Sequence, residues 1–348
     1  MATIKDVALL AGVSTATVSY VVNHKRRVTE EVAVRVRAAI RDLSYTPSGT
    51  ARKLQRGHTS VIGFVADNIS NRFPSRLVHG LATAAAAQHY NVLISDLHDD
   101  VANEPRALEL LVHEQVEAII YCGFGAAEKQ LLQIHRSGIP VVVVDKSPDS
   151  NALPSVLIDN GGSTETALQH LFDLGHRDIR FISGDPNNRN TLLRNEAFRV
   201  FMRRHRLRCP ESHILMGSYS LQHGYASALH LSEDLPGVTA VFCGDDMIAF
   251  GAMAGFKSKG LRIPEDVAVA GFSNDPLAGV MDPGLTTIHY PMVEMGQRAF
   301  EVFLALRDAR RRFVPHEWLK THLIVRRSTN LKCPPFTNSG LTTSENKH

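Results

Sequence analysis

The first sixty residues combine basic side chains with a short helix pattern that opens on small hydroxylated residues. They contain ten Lys and Arg against four Asp and Glu, a net charge of +6, whereas the rest of the chain holds 28 against 31, a net charge of −3. Residues 13–23 read VSTATVSYVVN, an unusual opening for a helix that only fills a core. This asymmetry suggests a small basic domain that meets a polyanion, although a solvated basic face would give the same count.

The motifs that would support catalysis or metal binding are incomplete. Residues 271–275 (GFSND) resemble a nucleophile elbow except at the last position, which should be glycine. Residues 123–128 follow a predicted strand but end in glutamate where a dinucleotide fingerprint needs glycine. The sequence has no HExxH, no P-loop and no CxxC, and its 17 histidines lack ligand spacing. We therefore expect no enzyme activity, no metal and no cofactor.

Length and composition are those of a globular protein with two or three folded units. The chain has 348 residues, of which 44% are hydrophobic and 21% are charged. Four cysteines without a disulfide pattern fit a reducing compartment. Neither a signal peptide nor an apolar run long enough for a membrane span is visible. We expect a cytoplasmic protein with no membrane association.

Residues 1–46 show helical spacing three times. Thr3 is expected to cap the first helix with Asp6, and its inner face is predicted to contain Val7, Ala8 and Leu10. The caps of the second and third helices are predicted at Ser14 and Thr29, and aliphatic stripes lie behind both: Val18, Val21 and Val22, then Val32, Val36, Ile40 and Leu43. Three short helices provide a small core, which is typical of a helix-turn-helix domain.

The following segment, residues 47–60, has the composition of a linker that contains a marginal helix. Pro47 blocks continuation of the third helix, and Gly49 and Gly57 weaken any helix between them. An isolated helix of this length barely persists in water, so we expect it to fold only when it is paired and bound.

From residue 61 the pattern changes to short aliphatic runs that alternate with amphipathic stretches. The runs are VIGFVAD, NVLISD, EAIIYCG, PVVVVD, DIRFISG, HILMG, TAVFCGD and DVAVAGF. Continuous apolar runs indicate parallel strands buried on both faces, with helices on either side. Two such α/β units with a cleft at the carboxyl ends of the strands account for residues 61–330. The polar residues 331–348 are expected to form a disordered tail.

Several of these blocks together resemble the LacI/GalR family of bacterial transcription regulators. The similarity includes IKDVALLAGVSTATVSYVVN, PSGTARKLQ, LFDLGHRDIRFISG, TAVFCGDDMIAFGAM, LRIPEDVAVAGFSN, PGLTTIHYP and LIVRRS, and it extends to about residue 328. The resemblance implies an all-α helix-turn-helix headpiece and an α/β core of two lobes that is similar to periplasmic binding proteins. It implies a first lobe of about 61–160 and 291–320 and a second of about 161–290 and 321–330.

The same resemblance implies the residues of the DNA end. A recognition helix enters a major groove about 12 Å wide, so its leading residues must be small or form hydrogen bonds. The implied base-reading positions are Thr15, Ala16 and Tyr20, behind the cap at Ser14. The implied phosphate contacts are Thr17, Asn23 and Thr29. Arg52, Lys53 and Leu54 lie on the hinge helix, where the family wedges a leucine into the minor groove at the operator centre.

Effector contacts are implied from both lobes of the core. The residues that match are Phe73, Arg189, Thr191, Arg194, Tyr219, Asp245, Ser273 and Asn274. The loop before Arg194 is one residue shorter than in the purine repressors, so the registration of Arg189 and Thr191 is open. Ser273 stands where the family commonly has an aspartate, and Asp245 could supply the missing carboxylate. A site that lacks the family's aspartate at Ser273 but keeps Arg194 would suit an effector with its own negative charge, such as a sugar acid. The alternative effectors are a neutral sugar and a purine corepressor.

The predicted function follows from these two ends. We expect a repressor that binds pseudopalindromic double-stranded operator DNA as a homodimer or a higher homo-oligomer. A carbohydrate or sugar-acid effector between the lobes is expected to change lobe closure and hinge order. A solute-binding protein or an enzyme on the same scaffold is the competing interpretation, but neither would explain residues 1–60.

Overall fold

A computed structural model describes residues 2–22, 28–45, 59–146, 152–234, 237–309, 316–330 and 332. Four residues expected at the DNA end lie outside these ranges: Asn23, Arg52, Lys53 and Leu54. Most of the hinge and nearly all of the expected tail lie outside them as well. Internal contacts divide the chain into two units, residues 1–60 and residues 61–348.

The described residues of the first unit form three short helices: α1 (Ile4–Ala11), α2 (Thr15–Val22) and α3 (Glu30–Asp42). The predicted capping box at α1 is present, because the Asp6 amide donates to Thr3 Oγ1 (3.4 Å) and the Thr3 amide donates to Asp6 Oδ2 (2.8 Å). Gly12 then turns the chain at a left-handed φ of 63°. The Thr17 amide donates to Ser14 Oγ (3.1 Å), so the predicted cap of α2 is confirmed.

The core of this unit is the small one that the sequence predicts, with two differences. Val18 and Val36 are fully buried between the helices. The prediction that Leu10 faces inward is wrong, since 55% of it is exposed and Ala11 is buried instead. Thr29 occupies the N-cap position of α3, but its side chain makes no capping hydrogen bond, so the predicted side-chain cap is also wrong.

Within its described ranges the second unit forms two six-stranded sheets. The first sheet has the order β2 (Asn91–Asp96), β1 (Val61–Ala66), β3 (Ala118–Cys122), β4 (Val141–Val144), β5 (Ser155–Ile158), β11 (His316–Leu319). The second has the order β7 (Ile214–Leu215), β6 (Ile179–Ile182), β8 (Ala240–Cys243), β9 (Ala268–Ser273), β10 (Thr286–His289), β12 (His322–Ile324). Among these strands only β12 runs antiparallel to its neighbour. The predicted parallel α/β class is confirmed.

Helices cover both sheets and define two lobes. The first lobe adds α4 (Arg72–Ala87), α5 (Glu104–His113), α6 (Glu128–Arg136) and α12 (Met292–Ala309). The second adds α7 (Asn160–Asp173), α8 (Arg189–Arg204), α9 (Leu221–Leu231), α10 (Asp246–Ser258) and α11 (Pro276–Val280). The central strands are buried along their whole length, as strands covered on both faces must be.

The chain passes between the lobes three times. It leaves the first sheet after β5 to form α7, returns after β10 to form α12, and leaves again between β11 and β12. Each lobe is therefore assembled from separate parts of the sequence. Loops at the carboxyl ends of parallel strands from both sheets meet in the cleft between the lobes, which is where such folds bind ligands.

Candidate functional site

The helix face predicted to enter DNA is open to solvent. Ser14, Thr15 and Ala16 are exposed, and Tyr20 exposes 38% of its surface. Thr17 is partly buried, and its hydroxyl forms a hydrogen bond of 2.9 Å with Ser14 Oγ. The exposed side chains beyond the Ser14–Thr17 hydrogen bond are those of Thr15, Ala16 and Tyr20. Two small side chains and one aromatic ring give this face a shape that fits a major groove.

The cleft between the lobes encloses a cavity of about 270 Å³. Its walls come from the ends of β1, β3, β4 and β9 and from the first turns of α4, α8 and α10. The charged and polar lining residues are Asp67, Ser70, Asn71, Arg72, Asp145, Asn188, Asn190, Arg194, Tyr219, Asp245, Ser273, Asp275 and Tyr290. The apolar ones are Phe73, Pro74, Cys122, Met247, Phe272 and Met292.

Arg194 is the fixed cation of this cavity. It is only 5% exposed, and its Nε donates to Asn160 Oδ1 (2.9 Å) while Nη1 donates to the Gly244 carbonyl (2.7 Å). Its guanidinium also stacks on the Phe272 ring at 3.8 Å from the ring centre. Among the described residues Nη2 has no hydrogen-bond partner, so Arg194 retains donors for a ligand.

Four carboxylates face the same space and make the cavity acidic. Burial raises the pKa of Asp245 to about 7 and that of Asp145 to about 6, and it also raises the pKa of Asp67. Asp145 accepts from Asn190 Nδ2 (2.7 Å) and from the Tyr290 hydroxyl. The cavity can therefore accept hydrogen bonds at several points, as hydroxyl-bearing ligands require.

Aromatic rings form the apolar side of the cavity. The Phe73 ring lies 5.0 Å from the ring of Tyr290, which in turn meets Phe272 edge to face at 5.6 Å. One face of Phe272 is covered by the Arg194 guanidinium. The rings provide an apolar surface beside the polar groups.

The structure brings five of the eight expected effector residues to this cavity: Phe73, Arg194, Tyr219, Asp245 and Ser273. Thr191 lies behind them, where its hydroxyl bonds to the Tyr219 hydroxyl at 2.6 Å. The structure does not place Arg189 in this cavity, because Arg189 lines a separate pocket of about 70 Å³. Asn274 also points elsewhere and accepts from Arg326 (2.9 Å).

Sequence reasoning missed nine polar lining residues: Asp67, Ser70, Asn71, Arg72, Asp145, Asn188, Asn190, Asp275 and Tyr290. Two of them had a visible signal. Asp67 and Asp145 each end an aliphatic run, VIGFVAD and PVVVVD, so they stand at the carboxyl ends of strands, where this fold places its ligands. Asn190, in the first turn of α8, and Asp275, just before α11, had no sequence signature that placed them in the cleft.

Metal binding and membrane insertion are two other roles on which the described residues bear. They contain no group of three or more His, Cys, Asp or Glu side chains that could hold a metal ion. In these ranges no single helix is long and apolar enough to cross a membrane. Together α1 and α2 reach the required length and composition, but they are bent by 101° at the turn between them.

Two known protein-family models match this chain, one near its start and one in its second half. Residues 3–48 match the family model described as bacterial regulatory proteins, lacI family. Residues 168–329 match the model of a periplasmic binding protein-like domain.

Individual proteins match over most of the chain. The HTH-type transcriptional repressor PurR of Pectobacterium atrosepticum is 35% identical over 309 residues, which are 87% of this chain and 90% of that protein. The ribose operon repressor of Escherichia coli K12 is 33% identical over 87% of this chain and 92% of its own length. A structure of the lac repressor dimer bound to operator and the anti-inducer ONPF superimposes with a TM-score of 0.83 at 24% identity, over 94% of this chain and 99% of that one.

Proposed function

The chain belongs to the LacI family of bacterial regulatory proteins, and we propose that it represses transcription by binding operator DNA under the control of a small-molecule effector. The observation that carries this proposal is the combination in one chain of an exposed recognition face, Thr15, Ala16 and Tyr20, with a charged and aromatic cleft between two lobes. The relatives named above are repressors. A repressor of this class acts in the cytoplasm, where it meets its DNA.

The DNA end is tested by selection of binding sites from random double-stranded DNA with the full chain. We expect an enriched pseudopalindrome, because a homodimer presents two headpieces to two half-sites. Tyr20→Ala should change the enriched bases, whereas Val34→Ala, on an exposed position of α3, should not. Selection of no site, or of a site without two-fold symmetry, would reject the proposal.

For the effector we propose a neutral carbohydrate. Four carboxylates line the cavity against two guanidinium groups, those of Arg72 and Arg194. A sugar acid would add a negative charge to a buried space that already disfavours ionised carboxylates, since burial raises the pKa of Asp245 to about 7 and that of Asp145 to about 6, and Coulomb repulsion from any ionised aspartate opposes it further. Neutral hydroxyl groups can donate to the aspartates and accept from Arg194, and a sugar ring can rest on the aromatic side of the cavity.

A purine effector is the second candidate, because the rings of Phe73 and Tyr290 could stack on a base and because one of the relatives is PurR. Against it, Arg194 covers a face of Phe272 and Tyr290 already contacts Phe73, which leaves less free ring surface for stacking. The acidic lining favours the polyhydroxylated ligand.

The effector class is tested by titration of the complex with the selected operator, followed by fluorescence anisotropy. Neutral pentoses and hexoses, the corresponding aldonates, and purine bases form the panel. We expect a neutral sugar to change operator affinity and Arg194→Met to abolish that response. Arg199→Met, which changes a residue on the same helix that pairs with Glu211 (3.0 Å), is the matched control. A response to an aldonate or purine without one to any neutral sugar would overturn the carbohydrate assignment but not the repressor.

A further inference from the structure

An ion pair bridges the mouth of the cleft. Arg72 is the first residue of α4 in the first lobe, and Asp275 precedes α11 in the second lobe. Arg72 Nη1 lies 2.5 Å from Asp275 Oδ2. Asp275 is 4% exposed, whereas 47% of the Arg72 side chain is exposed. The pair therefore joins a buried carboxylate to a cation that can reach it only while the lobes are close.

The carboxylate of Asp246 holds Asp275 in place. Asp246, at the start of α10, is fully buried, and its Oδ2 accepts from the Asp275 amide (2.6 Å) while its Oδ1 accepts from Thr287 Oγ1 (2.6 Å). The Asp275 Oδ1 accepts from the Leu277 amide (2.8 Å). These bonds fix the backbone and the side chain of Asp275 independently of Arg72.

The turn that carries Asp275 needs such a support. Ser273 and Asn274 both have positive φ values, 140° and 53°, in a region that non-glycine residues seldom adopt. A turn of this shape persists when its surroundings determine it. Asp246 supports this turn from two sides, because it accepts one hydrogen bond from the Asp275 amide and another from Thr287 in β10.

We propose that Arg72 and Asp275 form a clasp that holds the two lobes together without help from an effector, and that Asp246 is the positioning residue that sets Asp275 for it. A second contact joins the lobes at another point, where Asn190 donates to Asp145 (2.7 Å). The clasp pairs two opposite charges, one of them buried, so its loss leaves a carboxylate without its cation. The proposal goes beyond the repressor function and does not depend on the effector class.

The experiment is hydrogen exchange of the full chain, measured by mass spectrometry with no effector added. The variants are Asp275→Asn, which keeps an acceptor for the Leu277 amide, and Arg72→Gln. We expect Asp275→Asn to speed exchange in residues 69–78 of the first lobe about tenfold, and Arg72→Gln to do the same in residues 273–280 of the second lobe. The double variant should exchange no faster than either single variant, because one contact has been lost in all three.

Asp246→Asn tests the positioning role. It should speed exchange in residues 69–78 of the opposite lobe, and it should add nothing there when Arg72→Gln is already present. If Asp246→Asn only weakened the second lobe, it would speed exchange in that lobe alone. Its effect would then add to that of Arg72→Gln. Arg199→Gln, which breaks an ion pair within the second lobe, is the control and should leave residues 69–78 unchanged.

The clasp is overturned if each variant changes exchange only in its own lobe, or if the two effects add. Because Arg72 is half exposed, Arg72→Gln folds and decides the question even if a buried variant does not. Arg72→Lys should give a smaller acceleration than Arg72→Gln, since it keeps the charge but not the fork geometry. These results do not depend on DNA binding, so a failure of the clasp and a failure of the repressor function are distinguishable.

Discussion

Replacement of Asp245 by asparagine should make the core more stable, and increasingly so as pH rises. Asp245 caps α10 by accepting from the Ile248 amide (2.8 Å), and asparagine can keep this bond. Burial raises the pKa of Asp245 from an ordinary 3.8 to about 7 in the folded protein, while Asp246 adds like charge and Arg194 opposes both. The folded state therefore holds a proton that the unfolded chain releases, and stability falls as pH rises from about 4 to about 7.

The size of the effect follows from the difference between the two pKa values. About three pKa units correspond to ~4 kcal/mol, which is the ceiling for full burial. Asp245 also lines a cavity that admits solvent, so we expect about 2 kcal/mol over this pH range. In a core of this size that amounts to roughly 4 °C in melting temperature.

The assay is differential scanning calorimetry at one protein concentration from pH 4.5 to pH 8. The gain in melting temperature of Asp245→Asn over the parent chain should grow up to about pH 7 and stay constant above it. Glu233→Gln, which removes an exposed carboxylate, should show no such growth. A gain that is constant or shrinks with pH would refute the reasoning, since Asp245 would then ionise in the fold without cost.

Two further substitutions test the packing and the capping. Gly80→Ala should destabilise the core by about 3 kcal/mol in urea unfolding, because its Cβ would lie 1.9 Å from the Val293 carbonyl oxygen and force α4 away from α12. Gly161→Ala, whose Cβ meets its nearest atom at 3.5 Å, should not destabilise it. Thr3→Ala should cost the headpiece about 1 kcal/mol by removing half of the capping box with Asp6, and faster hydrogen exchange in residues 4–11 of the full chain would measure it.

The strands that sequence reasoning found are those that lie in a continuous aliphatic run of the sequence. Eight continuous aliphatic runs each contain a strand of the structure, from β1 to β4 and from β6 to β9. Of the strands in the part of the chain that the structure describes, it missed β5, β10, β11 and β12, each of three or four residues. In β11 and β12 the sequences HEWL and HLI are half exposed at sheet edges, so they carry no apolar run.

The expected DNA-binding and effector-binding residues also differ in how far the sequence alone could predict them. The headpiece could be predicted from its sequence because its signals are local: capping residues, the glycine turn and valines at helical spacing all act within a few residues of one another. Phe73, Arg194, Tyr219, Asp245 and Ser273 were expected from resemblance, and the structure brings them to one cavity.

The charge of the cleft was decided by tertiary structure. Asp67, Asp145, Asp245 and Asp275 come from four loops spread over more than half of the chain, and no local pattern announces that they share one cavity. Local propensities and periodicity set the helices, the buried strands and the headpiece. The three passages between the lobes set which side chains meet, because contacts between distant segments depend on how the sheets face each other and not on the residues beside them.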